Sequence, residues 1–416
     1  MRIVILISFF IAAGNIVLFA QKKCATAEYQ RQQNANLNIA NQKQRIDNFI
    51  LSRLNKNSIT ANQRPAEAVI KIPVVVHVVY HFPEENLPDE TIHKQIAALN
   101  RDYRKANSDT VNTPAAFKSK AADCNIEFEL AKTDPLGRAT TGIERVYSPI
   151  KKWTMDDKVK SSATYGTNAW DARYYLNIWI CNLSDLLGYG TTPGDDLKND
   201  GIVLSLLAVN NLDDGGSYSK GRTAVHEIGH WLGLRHLWGD ADCGDDNVAD
   251  TPKQTTYTPG CPTGVRVSCN NSEAGDMYMN FMDFTDDPCT NLFTKGQKDR
   301  MRVLFELGGY RNSILSSKAL GAPWSQNIPL PDDAPQWLYP QVYPNPVNDE
   351  LTLDLRYDAR WIGKELIIIN ASGQLVHQLT ISSKIEKIYT AQWKPGIYFI
   401  RGKKEGEKFS TKFIRL

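Results

Sequence analysis

Uninterrupted apolar stretches, rich in β-branched residues, recur through the first half of the chain. The longest is KIPVVVHVVY at residues 71–80, and CNIEFELA, YYLNIWICNL and GIVLSLL follow it. Runs of about four to eight apolar residues are typical of strands that are buried on both faces. The pattern therefore predicts a buried sheet.

Helical spacing of apolar residues appears between these strands and again after them. In DETIHKQIAALNRDYRK, Ile92 and Ile96 fall on one helical face, and Asp89 is available as an N-cap. A later stretch, TKGQKDRMRVLFEL, opens with a capping box formed by Thr294 and Gln297. Combined with the strands, these helices predict an α+β domain with a mixed sheet.

The chain begins with an apolar segment and continues with a polar one. Residues 1–20, MRIVILISFFIAAGNIVLFA, have the early arginine and apolar stretch of a secretory signal peptide, with an uncleaved membrane anchor as the alternative. Residues 21–66 are rich in Gln, Asn and Lys and have weak apolar periodicity. We expect them to form an exported pro-segment or a loosely packed extension, followed by a domain over residues 67–318.

A proline-rich stretch separates this domain from the C-terminal part. Residues 319–340 read as a linker. In residues 341–416, apolar and polar residues alternate in ELTLDLR, QLVHQLTI and GIYFIRG, and turn signals such as NASG and KPG lie between such stretches. This pattern predicts a small all-β sandwich of the immunoglobulin type.

Composition and charge narrow the classes of partner. The 416 residues are 42% hydrophobic and carry a formal net charge of +2, so neither nucleic acid nor a membrane surface is implied as a partner. The charge is uneven, because residues 237–290 contain ten acidic residues and only two basic ones. Beyond the first twenty residues, no segment is long and apolar enough to predict a membrane span.

Four of the seven cysteines lie close together, at Cys243, Cys261, Cys269 and Cys289. In an exported chain they predict two disulfides that stabilise a loop-rich segment, and the residues alone leave three pairings open. The remaining cysteines differ in setting. Cys124 and Cys181 fall in predicted strands and are expected to be buried, whereas Cys24 is left over.

The segment AVHEIGHWLGLRHLWGD concentrates candidate chemistry. On a helix, His226 and His230 lie one turn apart and can offer imidazole nitrogens to one metal ion. Gly233 allows a sharp turn after the helix, so that His236 can complete a set of three ligands. Such a set leaves a position open on zinc for a water, whose proton Glu227 would accept as general base.

This HExxHxxGxxH pattern resembles the zinc signature of the metzincin metallopeptidases. The clan also has a methionine-containing turn below the metal, for which MNFMDFTDD supplies Met282. The spacing, the cysteines and the ADTP segment most resemble the pappalysin family of secreted metalloendopeptidases, over about residues 67–315. The resemblance implies a mixed twisted sheet, a zinc-binding helix and a loop-rich C-terminal subdomain. It also implies one disulfide between Cys243 and Cys269 and another between Cys261 and Cys289.

The family resemblance implies three further features. A calcium ion would bind after the zinc helix at Asp246, Asp250 and Thr251, although a solvated acidic loop is the alternative. Cys24 resembles the latency cysteine whose thiolate takes the fourth zinc position, with an incidental free thiol as the alternative. The segment LLGYGTTPGDD at residues 186–196 is expected to form or border the edge strand that pairs with substrate, unless it is a plain surface loop.

Two positions depart from the family pattern. Many metzincins have a tyrosine two residues after the turn methionine, where this chain has Phe284. Some relatives have an acidic residue just before the last cysteine, which favours Arg or Lys after the scissile bond, and here that position is Pro288. Asp286 and Asp287 lie near it, but they do not establish a basic preference.

The C-terminal module carries a second resemblance. The opening VYPNPVNDELTLDL and the later stretches are similar to the C-terminal sorting domain of the type IX secretion system of Bacteroidetes, over nearly all of residues 341–416. The alternative is a carbohydrate-binding or adhesive sandwich. The resemblance implies export across both membranes to the cell surface or the medium, with the secretion machinery as a partner.

Taken together, these patterns predict a secreted zinc endopeptidase that acts on proteins or peptides and is made as a latent precursor. The alternatives are a binding or adhesive protein on an inactive peptidase scaffold, which the intact Glu227 argues against, and a metallohydrolase acting on a non-peptide amide.

Overall fold

The computed structural model describes residues 22–59, 68–210, 212, 214–271, 274–324, 340–355, 361–383, 385–404 and 407–416. The expected signal peptide and most of the expected linker lie outside these residues. The helices are α1 (Thr26–Gln33), α2 (Leu37–Ile59), α3 (Asp89–Tyr103), α4 (Ala115–Lys118), α5 (Leu206–Asn210), α6 (Arg222–Trp231) and α7 (Lys295–Val303). The strands are β1 (Lys22–Cys24), β2 (Ile70–Tyr80), β3 (Ile126–Leu130), β4 (Ile143–Tyr147), β5 (Leu176–Cys181), β6 (Leu186–Gly190), β7 (Ile202–Ser205), β8 (Gln341–Tyr343), β9 (Glu350–Asp354), β10 (Glu365–Asn370), β11 (Leu375–Thr380), β12 (Ile385–Tyr389), β13 (Gly396–Lys404) and β14 (Glu407–Arg415).

A seven-stranded mixed sheet forms the base of the first domain, in the order β1-β6-β7-β5-β2-β3, with β4 also paired to β2. The long β2 is parallel to β3, β4 and β5, and β5 is parallel to β7. Only β6 runs against its neighbour β7. The mixed sheet expected from the apolar stretches is therefore confirmed, and nearly all of β2 is buried because elements cover it on both faces.

Helices α3 and α6 pack together on one face of the sheet. The capping box of Thr294 and Gln297 begins α7 as predicted. The prediction for α3 was wrong in one detail, because its N-cap is Pro88 and Asp89 is already the first helical residue. The Asp89 carboxylate instead accepts a hydrogen bond from Arg145 of β4, at 2.5 Å.

Residues 22–59 are built into the first domain rather than loosely attached to it. Strand β1 adds to the edge of the central sheet by parallel pairing with β6. Helix α2 packs on α7, and its Ile50 is 1% exposed within the main hydrophobic core. Its Asp47 forms ion pairs with Arg235 and Arg300. The second alternative, a loosely packed extension, was therefore wrong, because a few apolar and charged residues dock an otherwise polar segment.

Between α6 and α7 the chain is mostly irregular, and two disulfides stabilise it. They join Cys243 to Cys269 and Cys261 to Cys289, which is the pairing that the family resemblance implied. The three remaining cysteines lie outside these disulfides and are buried. Cys181 lies in β5 as predicted, whereas Cys124 lies two residues before β3 and is buried outside it.

The C-terminal part has a hydrophobic core of its own. One sheet has the order β11-β10-β13-β14 and the other β12-β9-β8, with antiparallel pairing throughout. Trp361, Ile368 and Phe413 are among the side chains buried in this core. The sandwich predicted from alternating apolar residues is confirmed.

Among all the helices in the described residues, none is long and apolar enough to cross a membrane.

Candidate metal centre and substrate cleft

Helix α6 and the turn after it carry three histidines and one glutamate. His226, Glu227 and His230 lie on the helix, and all three are at most 5% exposed. The helix ends at Trp231, and two residues later Gly233 has a φ of +82°, the left-handed conformation that glycine adopts most easily. Its N–H donates to the carbonyl of His230, and the N–H of the next residue donates to the carbonyl of Gly229. This turn reverses the chain and brings His236 back to the helix.

The three Nε2 atoms of these histidines meet at one point. His230 Nε2 lies 3.1 Å from His226 Nε2 and 3.1 Å from His236 Nε2. Each Nδ1 faces an acceptor instead: the carbonyl of Phe281 at 2.7 Å, the carbonyl of Leu234 at 3.0 Å, and Asp240 at 2.5 Å. The Nδ1 atoms therefore carry the ring hydrogens, and the Nε2 lone pairs all point to the same place.

This donor set fits a zinc ion. The three Nε2 atoms lie at van der Waals distance, and their lone pairs repel one another unless a cation lies among them. Cys24 Sγ is 3.6 Å from His230 Nε2, and the four possible ligand atoms lie within 4.8 Å of one another. With bonds of about 2.0 Å to nitrogen and about 2.3 Å to sulfur, a tetrahedral zinc ion would space two nitrogens by about 3.3 Å and nitrogen and sulfur by about 3.5 Å. The observed spacings match these values closely.

Electrostatics favours a neutral imidazole, as a metal ligand needs, at His230. Burial, and then the neighbouring His236, lower the pKa of His230 to about 3. Burial and the nearby Glu227 charge raise the pKa of the Cys24 thiol well above its ordinary value. A thiolate at this position therefore requires a cation beside it.

Glu227 is fully buried beside the histidines. Burial raises its pKa to about 7, against the opposing effect of a hydrogen bond from Thr26. That bond runs from Thr26 Oγ1 to Glu227 Oε2 and is 2.7 Å long. A carboxyl with a pKa near neutrality can accept and return a proton at physiological pH, as a general base must.

Met282 and Phe284 border the histidine cluster. Met282 is fully buried, and its Sδ would lie 2.4 Å from a Cβ placed on Gly229, so the methionine packs against the backbone of α6. The Phe284 ring lies 4.9 Å from the His236 ring and 5.5 Å from the His226 ring, between centroids. The position beside the metal site where many metzincins have a tyrosine is therefore filled by a ring without a hydroxyl.

The N-terminal segment covers the outer edge of β6. The N–H of Ala25 donates to the carbonyl of Gly188 at 3.1 Å, and the N–H of Gly190 donates to Thr26 Oγ1 at 2.8 Å. The first five residues of the 186–196 segment form this strand. Without residues 22–33, β6 would be the free edge of the sheet beside Glu227, where an extended peptide can add as a strand.

A small pocket of about 30 Å³, partly open to solvent, adjoins His226 and Glu227. Its lining includes Tyr218, Arg222 and Asp287. Of the described residues around the last cysteine, Asp287 lines the pocket, and Asp286 and Pro288 do not.

The Arg222 side chain is 3% exposed and neutralised within the protein. It forms ion pairs with Asp102 of α3 and with Asp109. Its N–H groups also reach the carbonyls of Asp287 and Thr290. This network braces the pocket wall against α3, and sequence reasoning missed it because its members are far apart along the chain.

The three residues expected to bind calcium are engaged in different ways. Thr251 Oγ1 donates to both carboxylate oxygens of Asp246, at 2.9 Å each. The Asp250 carboxylate instead accepts hydrogen bonds from Thr294 Oγ1 at 2.7 Å and from the N–H of Gly296 at 3.0 Å. Asp250 thus caps the start of α7, where the helix dipole favours a negative charge.

Comparison with known proteins agrees with this geometry. The family model Peptidase_M43, described as pregnancy-associated plasma protein-A, matches residues 159–306. An extracellular metalloprotease of Neurospora crassa is 32% identical over 252 residues, which cover 57% of this chain and 75% of that protein. An extracellular metalloprotease of Verticillium alfalfae is 32% identical over 247 residues, which cover 57% of this chain and 76% of that protein. The chain belongs to the M43 (pappalysin) family of metallopeptidases.

Among solved structures, this M43 chain is similar to two forms of mirolysin. Mature mirolysin of Tannerella forsythia, in complex with a cleaved peptide, is 47% identical, with a TM-score of 0.58 over 60% of this chain and 97% of that one. A mutant of promirolysin from the same organism is 41% identical, with a TM-score of 0.63 over 73% of this chain and all of that one. The metzincin fold of the first domain is thereby confirmed.

The C-terminal sandwich also matches a known module. A model for a secretion system C-terminal sorting domain matches residues 341–415. With the extracellular relatives, it makes this M43 protein a metalloprotease that is secreted or displayed at the cell surface.

Proposed function

We propose that this protein is a zinc-dependent endopeptidase that is made as a latent precursor. The observation that carries the proposal is the convergence of the three Nε2 lone pairs with Cys24 Sγ at one point beside Glu227. In this scheme residues 1–20 are a signal peptide, 21–66 the pro-segment, 67–318 the catalytic domain, 319–340 a linker and 341–416 the sorting domain.

His226, His230 and His236 would hold the zinc ion, which when bound polarises a peptide carbonyl and makes a bound water more acidic. The acceptors at the Nδ1 atoms orient the imidazoles and increase their basicity. Glu227 accepts the proton of the attacking water at a carboxylate oxygen and passes it to the departing amine. Peptide main chain pairs with the Gly188 and Gly190 groups of β6, and the pocket receives a neighbouring side chain.

Latency would follow from the same contacts. Cys24 would occupy the fourth zinc position, and Ala25 and Thr26 occupy the strand groups that substrate needs. Support comes from the two mirolysin forms, because the precursor aligns over 73% of this chain and the mature form over 60%. The difference of about 50 residues is close to the length of the proposed pro-segment.

A calcium ion after the zinc helix remains part of the proposal. Asp246 and Thr251 lie side by side and offer the oxygen ligands that calcium prefers. Asp250 would have to exchange its hydrogen bonds to Thr294 and Gly296 for the ion. Calcium titration with and without Asp246→Asn, followed by thermal unfolding, tests the site. A calcium-dependent rise in melting temperature that this variant abolishes supports the proposal.

The base assignment is tested with Glu227→Ala in the chain freed of residues 1–66. We expect one zinc ion per molecule and a loss of peptide hydrolysis of about 100-fold or more. Glu90→Ala is the matched control, since Glu90 is exposed on α3 far along the chain from the cluster. Activity at the wild-type level in Glu227→Ala, or a protein without bound zinc, contradicts the proposal.

The latency assignment is tested in the full precursor. Cys24→Ala should activate sooner than the wild type when both are purified with zinc. A time course of pro-segment cleavage and of fluorogenic-peptide hydrolysis measures this. Unchanged activation would discard the cysteine as a switch without affecting the zinc site.

A further inference from the structure

A buried lysine lies in an aromatic cage next to the strand that pairs with the pro-segment. The Lys160 side chain is fully buried, and its ammonium lies 5.1, 5.5 and 4.9 Å from the ring centroids of Tyr29, Trp179 and Tyr189. The ammonium also forms an ion pair with Asp157, with Nζ 2.9 Å from Oδ1. A desolvated ammonium facing three rings gains more from cation–π attraction than an exposed one does.

Only one wall of this cage comes from the proposed pro-segment. Tyr29 lies on α1, is 2% exposed, and has its ring centroid 5.3 Å from that of Tyr189. Its hydroxyl donates to Asp157 Oδ2 at 2.7 Å. The Tyr29 phenol therefore has three complementary neighbours. The Lys160 ammonium and the Tyr189 ring lie beside its ring, and the Asp157 carboxylate accepts a hydrogen bond from its hydroxyl.

Release of the pro-segment would leave this place open. Lys160, Asp157 and Tyr189 all belong to the catalytic domain and would stay, with a phenol-shaped gap between them. Tyr189 lies between Gly188 and Gly190, the residues of β6 whose main-chain groups bind the pro-segment. The gap is therefore adjacent to the strand along which a substrate peptide would run.

We propose that this gap is a substrate subsite that selects a tyrosine side chain, and that Tyr29 occupies it in the precursor. The inference rests on the proposed peptidase function. Phenylalanine would keep the contact with the ammonium but would leave Asp157 without the phenol donor. A glutamate side chain would be repelled by Asp157, and a lysine side chain by Lys160.

The test uses the mature enzyme with zinc and a set of fluorogenic peptides that share one cleaved host sequence. Alanine, phenylalanine or tyrosine is placed in turn at each of four positions on either side of the scissile bond. At one position we expect kcat/KM to be about tenfold higher for tyrosine than for alanine, and several-fold higher for tyrosine than for phenylalanine. A charge-assisted hydrogen bond of ordinary strength accounts for the second ratio.

Asp157→Asn probes the carboxylate directly. Asparagine tolerates the left-handed φ of +59° at this position, so the backbone can be retained. We expect the ratio of tyrosine to phenylalanine at the selected position to fall to about one. Asp171→Asn is the matched control, because Asp171 lies outside the cage and pairs with Arg173, and it should keep the wild-type ratio.

Two results overturn the inference, and they can be told apart. If the peptides are hydrolysed without a tyrosine preference at any position, or if Asp157→Asn leaves the ratio unchanged, the subsite is wrong while the peptidase function stands. If the zinc-loaded mature protein hydrolyses none of the peptides, the proposed function fails and the subsite fails with it.

Discussion

The hydroxyl of Thr26 links the proposed pro-segment directly to the proposed general base. It donates to Glu227 Oε2 at 2.7 Å and accepts from the N–H of Gly190 at 2.8 Å, and Thr26 is 2% exposed. Thr26→Val keeps the shape of the side chain and removes both hydrogen bonds. The docked pro-segment would then bury a carboxylate oxygen and an amide without their partner, whereas both groups reach water when the segment undocks.

The expected magnitude follows from these two bonds. A hydrogen bond to a charged group contributes about 1.5–3 kcal/mol and a neutral one about 0.5–1.5 kcal/mol. Their loss should weaken docking by about 2–4 kcal/mol, which corresponds to about 30- to 1000-fold in the equilibrium between docked and undocked forms. Because Cys24 remains, the variant separates this contact from the cysteine.

The assay measures hydrolysis of a fluorogenic peptide by the uncut, zinc-loaded precursor, together with the time course of pro-segment cleavage. The Thr26→Val precursor should hydrolyse the peptide at least about 30-fold faster than the wild-type precursor. Ser52→Ala is the control, since it also removes a hydroxyl from the pro-segment but at an exposed position on α2. A Thr26→Val precursor as latent as the wild type, within twofold, would refute this account of latency.

Three other substitutions should report on different parts of the first domain. Asp47→Ala should lower the free energy of unfolding of the full precursor by about 3 kcal/mol, because it leaves the buried Arg300 without its carboxylate partner; denaturant unfolding of the two precursors measures the difference, and equal stability would show that this ion pair does not hold α2 on the domain. Gly229→Ala should lower the free energy of unfolding by about 1–3 kcal/mol, because the added Cβ would lie 2.4 Å from Met282 Sδ. An unchanged melting temperature would show that the methionine side chain moves aside freely. Removal of one disulfide by Cys261→Ser, which opens a loop of 28 residues, should lower the free energy of unfolding by about 3–4 kcal/mol, and a loss below about 1 kcal/mol would contradict the loop-closure reasoning.

Local patterns predicted those features whose partners lie within a few turns of chain. His226, Glu227, His230 and His236 fall within eleven residues, and helix geometry followed by one glycine turn is enough to bring them together. The α7 capping box is equally local. The wrong prediction at Asp89 also concerns a local feature. The φ and ψ of a single residue decide which residue is the N-cap, and α3 begins one residue earlier than expected.

Contacts between distant residues had no comparable signal. Thr26 and Glu227 are 201 residues apart, and nothing in the composition of residues 21–66 shows that this polar segment forms a strand and two helices against the catalytic domain. The cage of Lys160 joins residues from α1, β5, β6 and a loop. Neither the lysine nor the aromatic residues are unusual until the sheet places them side by side.

The amino-acid sequence by itself determined the donor chemistry, the periodicity of the strands and helices, and the modular order of the chain. Those properties depend on residue type and on spacing over one or two turns. Only the tertiary structure decided which carboxylate receives the Thr26 hydroxyl, which aromatic rings surround Lys160, and which edge of the sheet the proposed pro-segment occupies. Such contacts depend on how far-separated segments fill the same space, and close packing selects them only after the whole domain has folded.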